Sequence, residues 1–192
     1  MKTDVILAGV GGQGILTIAA VLGRAALAQG LHLKQAEVHG MAQRGGAVQS
    51  HFRMADEPIH ADVVPRGRAD MILAMEPMEA LRYAGWLKPG GRLISNSRPV
   101  LNISDYPPEE DLRAAFAAIP DSLLFDGSAI AEEEGASRSL NMAMLGAASP
   151  FLPIEGDAIL TAMQSFFQGK GDRVLEANRR VFERARDAAS KG

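Results

Sequence analysis

The chain lacks cysteine entirely, and aromatic residues make up only 5% of its 192 residues. The absence of cysteine excludes disulfide bonds, a thiol nucleophile and any zinc or iron–sulfur centre bound through thiolates of this chain. It also suits a cytoplasmic protein, which is the location we expect. With few aromatics, the core must be built mainly from alanine, leucine, isoleucine and methionine.

Motifs of several enzyme classes are missing as well. The sequence has no P-loop, no G-x-S-x-G nucleophile elbow and no H-E-x-x-H zinc motif. No two histidines have the i, i+4 spacing of a helical metal site, so no metal site is expected. The histidines are His32, His39, His51 and His60.

Neither a membrane nor a nucleic acid is an expected partner. No run of about 18 apolar residues, the length that spans a bilayer, is present. The first residues, MKTDVILAGVGG, lead straight into a predicted strand and lack the pattern of a signal peptide. A net charge of −3 gives no electrostatic indication of nucleic-acid binding.

The most informative stretch is Asp4–Gly14, DVILAGVGGQG. Its apolar run Val5–Ala8 is typical of a buried parallel strand, and the apolar periodicity of Ile15–Gly30 predicts a helix. The turn between them contains Gly9, Gly11, Gly12 and Gly14. A strand–turn–helix unit of this kind directs backbone N–H groups and the positive end of a helix outward, so it can hold an anion.

Two interpretations of this turn are open. Gly9, Gly11 and Gly14 fit the dinucleotide pattern G-x-G-x-x-G, which also asks for an acidic residue about 20 positions further on, and Glu37 lies near that place. Alternatively, the glycines only allow a sharp turn and close packing of helix on strand. Gln13 makes the loop GGQG, which departs from the ordinary pattern.

Alternating strands and helices predict one domain, residues 1–192, with a three-layer α/β/α fold and a mostly parallel Rossmann-like sheet. The further predicted strands are Leu31–Val38, Ala47–Met54, Ile59–Val64, Asp70–Met75, Arg92–Asn96 and Ser122–Phe125. The further predicted helices are a segment from Glu76 to about Trp86, Glu109–Ile119, Leu140–Phe151, Ile154–Phe167 and a last helix with Asp172 as its N-cap.

A second unusual loop, His39–Gly46, follows the second predicted strand. In an open parallel sheet, the loops after strands one and two meet at the ligand crevice. Arg44 could pair there with a carboxylate or phosphate, or bridge the two loops. Gly45 and Gly46 would let another backbone approach closely, whereas His39 fits a structural hydrogen bond better than a ligand contact.

Two asparagines complete the set. Asn96 ends a predicted strand and could face the same crevice, and Asn141, on an apolar helix, is expected to bridge loops. The candidate binding residues are therefore Gly9, Gly11, Gly12, Gln13, Gly14, His39, Arg44, Gly45, Gly46 and Asn96.

GVGGQGILT at Gly9–Thr17 and HGMAQRGGAVQSHFR at His39–Arg53 resemble the gamma-type subunit or domain of 2-oxoacid:ferredoxin oxidoreductases. Within that family the similarity is greatest to the small beta subunit of indolepyruvate:ferredoxin oxidoreductase. The segments DMILAMEP, KPGG, RLISN and LNMAMLGA fit as well, so the resemblance covers essentially the whole chain.

The resemblance implies an oxidative decarboxylation, in which a 2-oxoacid and coenzyme A give an acyl-CoA and carbon dioxide while two electrons pass to ferredoxin. Thiamine diphosphate with Mg²⁺ and iron–sulfur clusters of the 4Fe–4S type would lie on a larger alpha subunit. Coenzyme A would be a co-substrate. The loops Gly11–Gly14 and Arg44–Gly46 would lie at the partner or coenzyme A surface, and no catalytic residue is assigned to this chain.

Two alternatives stay open. One is a free-standing dinucleotide-dependent oxidoreductase that uses Glu37 on the adenosine ribose. The other is an assembly module without turnover, which could form a homodimer in isolation.

Overall fold

Six strands form a single mixed sheet in the computed structural model of the chain, which describes residues 1–39 and 45–191, with His39 described by its backbone alone. The strands are β1 Lys2–Val10, β2 His32–His39, β3 Ala47–Ala55, β4 Ala69–Ala74, β5 Leu87–Asn96 and β6 Ser122–Phe125. Their order across the sheet is β2-β3-β1-β4-β5-β6. Five strands run in one direction and β3 runs against them.

Helices cover both faces of this sheet, as the three-layer prediction requires. They are α1 Ile15–Ala28, α2 Pro77–Arg82, α3 Glu109–Ala117, α4 Gly127–Glu133, α5 Leu140–Ala148, α6 Gly156–Phe167 and α7 Asp172–Ala189. One face packs against α1, α5 and α6, and the other against α2 and α3. Within the described residues no helix is both long enough and apolar enough to cross a membrane.

The two faces follow from the alternation of side chains along the central strands. In β1, Val5 and Leu7 join the core below α1 and α5, while Ile6 and Ala8 join the core below α2 and α3. All four are fully buried, which is why the segment reads as a continuous apolar run. α7 packs on the outer side of α5, and Gly146 permits this because a Cβ there would lie 2.3 Å from the Phe182 carbonyl oxygen.

The position of β3 corrects the expectation that strands one and two are neighbours. The chain folds back after β2 as an antiparallel hairpin, with His32 opposite Ala55 and His39 opposite Val48. β3 then also pairs antiparallel with β1, so β2 lies at the edge of the sheet.

The predicted strand Ile59–Val64 is wrong, because this segment is irregular. Side chains of β3 bind its backbone in place of a neighbouring strand. Arg53 Nη1 donates to the carbonyl oxygens of Ala61 and Val63 at 2.8 and 3.2 Å, and His51 Nδ1 accepts from Val64 N–H at 3.1 Å. Burial, and then the Arg53 charge, lower the pKa of His51, which fits an imidazole that accepts this bond in its neutral form.

The helix α4 is not among the predicted elements, and the remaining elements differ from the prediction only near their ends. The KPGG segment lies within β5, where the pairing with β4 is irregular and Gly90 has a φ of +73°. α2 ends at Arg82 and a short 3₁₀ turn continues to Trp86. Asp172 is the first residue of α7, and Gly171, with a φ of +92°, takes the N-cap place that was predicted for Asp172.

A buried ion pair holds β1, β3 and the irregular segment together at the amino end of the sheet. Arg53 donates from Nε and Nη2 to the Asp4 carboxylate at 2.8 and 3.1 Å, and both residues are at most 6% exposed. Such a pair is sensitive to the loss of one partner, because the remaining charge is then buried without compensation.

We expect Arg53→Met to lower the free energy of unfolding by about 3–5 kcal/mol, since it leaves the buried Asp4 carboxylate with only the exposed Lys2 ammonium as a partner and leaves two carbonyl groups unpaired. Urea unfolding would measure this loss. Arg113→Gln, which removes an exposed arginine from α3, is the control and should cost less than about 0.5 kcal/mol. An Arg53→Met variant as stable as this control would contradict the structural role of the pair.

Candidate functional site

The glycine turn after β1 is shaped by two residues with left-handed backbone conformation. Gly12 has a φ of +102° and Gly14 a φ of +80°, which side-chain-bearing residues rarely adopt. Gly9 is required for a different reason, because a Cβ there would lie 2.8 Å from Gln13 Oε1 and 3.0 Å from Met75 Cβ. The turn therefore combines a sharp bend with close packing.

Gln13 joins the ends of two strands through its side-chain amide. Its Oε1 accepts from the N–H of Val10 at 2.7 Å, at the end of β1. Its Nε2 donates to the carbonyl oxygen of Met75 at 3.2 Å, directly after β4. We call this arrangement the Gln13 clamp; it explains why the loop reads GGQG and fixes the shape of the turn.

The two predicted glycine bends meet, although not for the predicted reason. Because β3 pairs with β1, with Ala47 opposite Val10, the start of β3 lies beside the end of β1. The N–H of Gly11 donates to the carbonyl oxygen of Gly46 at 2.9 Å. Arg44 and the side chain of His39 lie outside the described residues, so the roles predicted for them stay predictions.

A third segment, which follows β5, reaches the same end of the sheet, where β1 and β4 finish. Asn102 donates from Nδ2 to the carbonyl oxygen of Gly45 at 2.7 Å, and Tyr106 donates its hydroxyl hydrogen to the carboxylate of Glu76. Sequence reasoning missed all three side chains. Glu76 was interpreted only as a helix start, and nothing in the irregular stretch 97–108 indicates contacts 57 or 30 residues away.

The carboxylate of Glu76 is buried and fully engaged. It caps α2 by accepting from the N–H of Glu79 at 2.8 Å, in addition to the bond from Tyr106. Burial, and then the bond to Glu76, raise the pKa of the Tyr106 hydroxyl, which therefore stays protonated and able to donate. Burial also raises the pKa of Glu79, against the opposing effect of Arg82. Tyr106 and Glu76 thus fix the segment after β5 to the sheet. The carboxylates of Glu76 and Glu79 both have hydrogen-bond partners, so neither is free to act as a general base.

An open, mainly apolar cleft of about 370 Å³ lies at the glycine turn. It is lined by Val10, Gly11, Gly12, Gln13, Gly14, Ile15, Leu16 and Val48. The first turn of α1 contributes to it without a side-chain cap and without an acidic residue. Leu16 of this cleft is 48% exposed, and Leu101 and Ile103, the neighbours of Asn102 in the chain, are 75% and 43% exposed.

The two predicted asparagines have different positions. Asn141 bridges elements as expected, donating from Nδ2 to the carbonyl oxygen of Gly14 at 3.4 Å. Asn96 is 1% exposed and its amide is engaged locally with the carbonyl oxygen of Arg98 and with Ser128. It does not line the cleft at the glycine turn.

The topology does not favour the dinucleotide alternative. In a dinucleotide-binding fold, the strand that carries the ribose-binding acid lies next to the first strand. Here β3 separates β2 from β1, and Glu37 is exposed on the edge strand, where it accepts from Gln35 Nε2 at 2.7 Å. Glu37 is thus one strand too far from the glycine turn.

The comparisons with known proteins agree with the resemblance. The family model for pyruvate ferredoxin/flavodoxin oxidoreductase matches residues 4–188. Indolepyruvate oxidoreductase subunit IorB of Thermococcus kodakarensis is 36% identical over 98% of this chain and 96% of its own length. The protein of that name from Pyrococcus horikoshii is 34% identical, again over 98% of this chain and 96% of its own length.

Solved structures share the fold. A keto/oxoacid ferredoxin oxidoreductase gamma subunit from Geobacter sulfurreducens has a TM-score of 0.73 at 22% identity and covers 99% of both chains. A 2-oxoglutarate:ferredoxin oxidoreductase from Magnetococcus marinus, solved with 2-oxoglutarate, coenzyme A and succinyl-CoA bound, has a TM-score of 0.81 at 22% identity. The match covers all of this chain but only 31% of that longer one.

We expect Gln13→Ala to lower the free energy of unfolding by about 1–3 kcal/mol, because Val10 and Met75 are buried and their backbone groups lose a partner. Gln164→Ala is the matched control, since Gln164 is exposed on α6, and should cost less than about 0.5 kcal/mol. Chemical denaturation of both variants measures this difference. Equal free energies of unfolding would contradict the stabilising role of the Gln13 clamp.

Proposed function

Because this chain belongs to the pyruvate ferredoxin/flavodoxin oxidoreductase family, we propose that it is the small subunit of a 2-oxoacid:ferredoxin oxidoreductase. Relatives of matching length that are called indolepyruvate oxidoreductase subunit support indolepyruvate or another aryl pyruvate as the oxoacid. The proposed reaction is oxidative decarboxylation to an acyl-CoA, with ferredoxin as electron acceptor. A cytoplasmic location, where ferredoxin is available, belongs to the same proposal.

The composition of the chain supports the binding of the redox cofactors by a different subunit. Without cysteine it has no thiolate for an iron–sulfur cluster. In the part of the chain that the structure describes, no three His, Asp or Glu side chains are grouped so as to hold a metal ion such as the Mg²⁺ of thiamine diphosphate. We therefore assign thiamine diphosphate, Mg²⁺ and the clusters to a larger alpha subunit, through which ferredoxin would be reduced.

The observation that carries the docking role is the hydrogen bond between Gly11 and Gly46, which joins the two glycine bends into one surface. We define the docking face as the cleft residues at the glycine turn, together with Gly45, Gly46 and residues 101–103. Leu16, Leu101 and Ile103 expose apolar area on it, and the Gln13 clamp and the Asn102–Gly45 bond fix its shape beforehand. Preorganised apolar surface of this kind is typical of the centre of an interface.

The same face is suited to approach by coenzyme A. Gly12 is exposed with open space around it, and the first turn of α1 offers its positive end without a capping side chain. Gly11, Gly12, Gln13 and Gly14 would shape this contact, with Arg44, Gly45 and Gly46 on its other side. The residues of this chain would position the coenzyme and exclude water, and the carbon chemistry would belong to thiamine diphosphate on the partner.

A pull-down from native extract with this chain as bait tests the proposal. We expect it to recover a large, cysteine-rich, thiamine-binding protein, and the recovered complex to reduce ferredoxin with indolepyruvate and coenzyme A. Absence of such a partner, or full activity of this chain alone, would contradict it. A homodimer in isolation, measured by light scattering, is compatible with the proposal.

Two leucines on α1 provide a matched pair of variants. Leu16 and Leu27 are 48% and 60% exposed and lie about 16 Å apart along the helix, at opposite ends. We expect Leu16→Asp to reduce recovery of the partner about tenfold, because it buries a carboxylate in the docking face. Leu27→Asp should leave recovery and activity unchanged. Equal recovery with both variants would place the interface elsewhere.

A further inference from the structure

A second depression, separate from the cleft at the glycine turn, has an unusual concentration of positive charge. It measures about 770 Å³ and lies where α1, α5 and α7 begin. Arg138, Lys170 and Arg173 line it, and no Asp or Glu is among the lining residues. We call it the basic depression.

The three cations of the basic depression differ in their partners from three arginines further along α7. Arg179, Arg180 and Arg184 of α7 all pair with glutamates on α7 or near the end of α4. Among the described residues, by contrast, no carboxylate pairs with Arg138, Lys170 or Arg173. Lys170 Nζ lies over the rings of Phe166 and Phe167, 5.6 and 5.5 Å from their centroids, but no carboxylate of the described residues neutralises any of the three charges.

Helix geometry adds to this charge. Thr17 is in the first turn of α1, Ser139 directly precedes α5 and Arg173 is the second residue of α7, so three helix N-termini border the basic depression. None of the three has a side-chain cap. The positive ends of the helix dipoles therefore act together with the three cations. A cation in the first turn opposes the dipole of its own helix, so Arg173 is placed unfavourably for helix stability alone.

A largely buried serine points to a ligand independently of the charge. Ser139 is 7% exposed and occupies the N-cap position of α5, where serine usually accepts a hydrogen bond from the helix backbone. Its side chain makes no such bond, yet it lines the basic depression. Its O–H group can donate to an anion that enters there.

We propose that the basic depression binds the phosphate groups of a diphosphate-bearing ligand of nucleotide size. Two guanidinium groups and an ammonium match a multiply charged anion, and the planar fork of arginine fits phosphate oxygens. The volume lies within the range of about 300–1,000 Å³ that is usual for small-molecule sites. Val174 and Ala177 provide an apolar wall for the remainder of the ligand.

Isothermal titration calorimetry on the full chain at low ionic strength tests this inference with pyrophosphate, ADP and coenzyme A. We expect saturable binding that Arg173→Gln weakens about tenfold, because a charge-assisted hydrogen bond is lost. Arg179→Gln removes the same charge from the same helix outside the basic depression and should leave the affinity within about twofold. Replacing Arg138, Lys170 and Arg173 together by Gln should abolish binding while the melting temperature shows that the chain stays folded.

The three probes distinguish the source of the phosphate groups. Equal binding of pyrophosphate and ADP supports the site with the diphosphate as its determinant, whereas tighter binding of coenzyme A supports it with the coenzyme as its source. No binding of any probe, or equal weakening by Arg173→Gln and Arg179→Gln, would overturn the proposal. The titration needs no partner subunit, so this failure would leave the proposed function standing.

Discussion

The side-chain amide of Gln13 holds the ends of β1 and β4 at a fixed distance, and the rest of the candidate site depends on it. It satisfies the N–H of Val10 and the carbonyl group of Met75 where the strands leave the sheet and the regular ladder ends. With this bend fixed, Gly11 can present its N–H to Gly46, and α1 starts directly beside the cleft. The space that Gly9 leaves free is the space that the amide occupies.

The reversed strand β3 is the second constraint, because it sets what each end of the sheet can do. At the carboxyl end of β1 it brings Gly46 to the glycine turn, and the segment after β5 closes the surface through Asn102. At the other end it places Arg53 against Asp4, and the two side chains form a buried ion pair that stabilises the fold. Structural ion pairing and candidate docking are thus separated to opposite ends of one sheet.

Local sequence patterns predicted most elements, because burial on both faces gives continuous apolar runs such as Val5–Ala8 and Met71–Met75. They could not predict that β3 lies between β1 and β2, since alternation along a strand does not identify its neighbours. For the same reason, the two glycine bends were expected to meet because β2 would lie beside β1, whereas they meet because β3 lies beside β1. The contacts of Asn102 and Tyr106 cross 57 and 30 residues of chain, and only the folded molecule reveals them.

We propose that a preformed, largely apolar surface at the carboxyl end of β1 docks onto a partner that carries the redox cofactors. Amide hydrogen exchange, measured on the chain alone and on its recovered complex, tests this most directly. We predict slower exchange on complex formation at Gly11–Leu16 and at residues 101–103, with no change at Asp56–Val64 beside the opposite end of the sheet. Protection confined to Asp56–Val64, with the glycine turn unaffected, would contradict it.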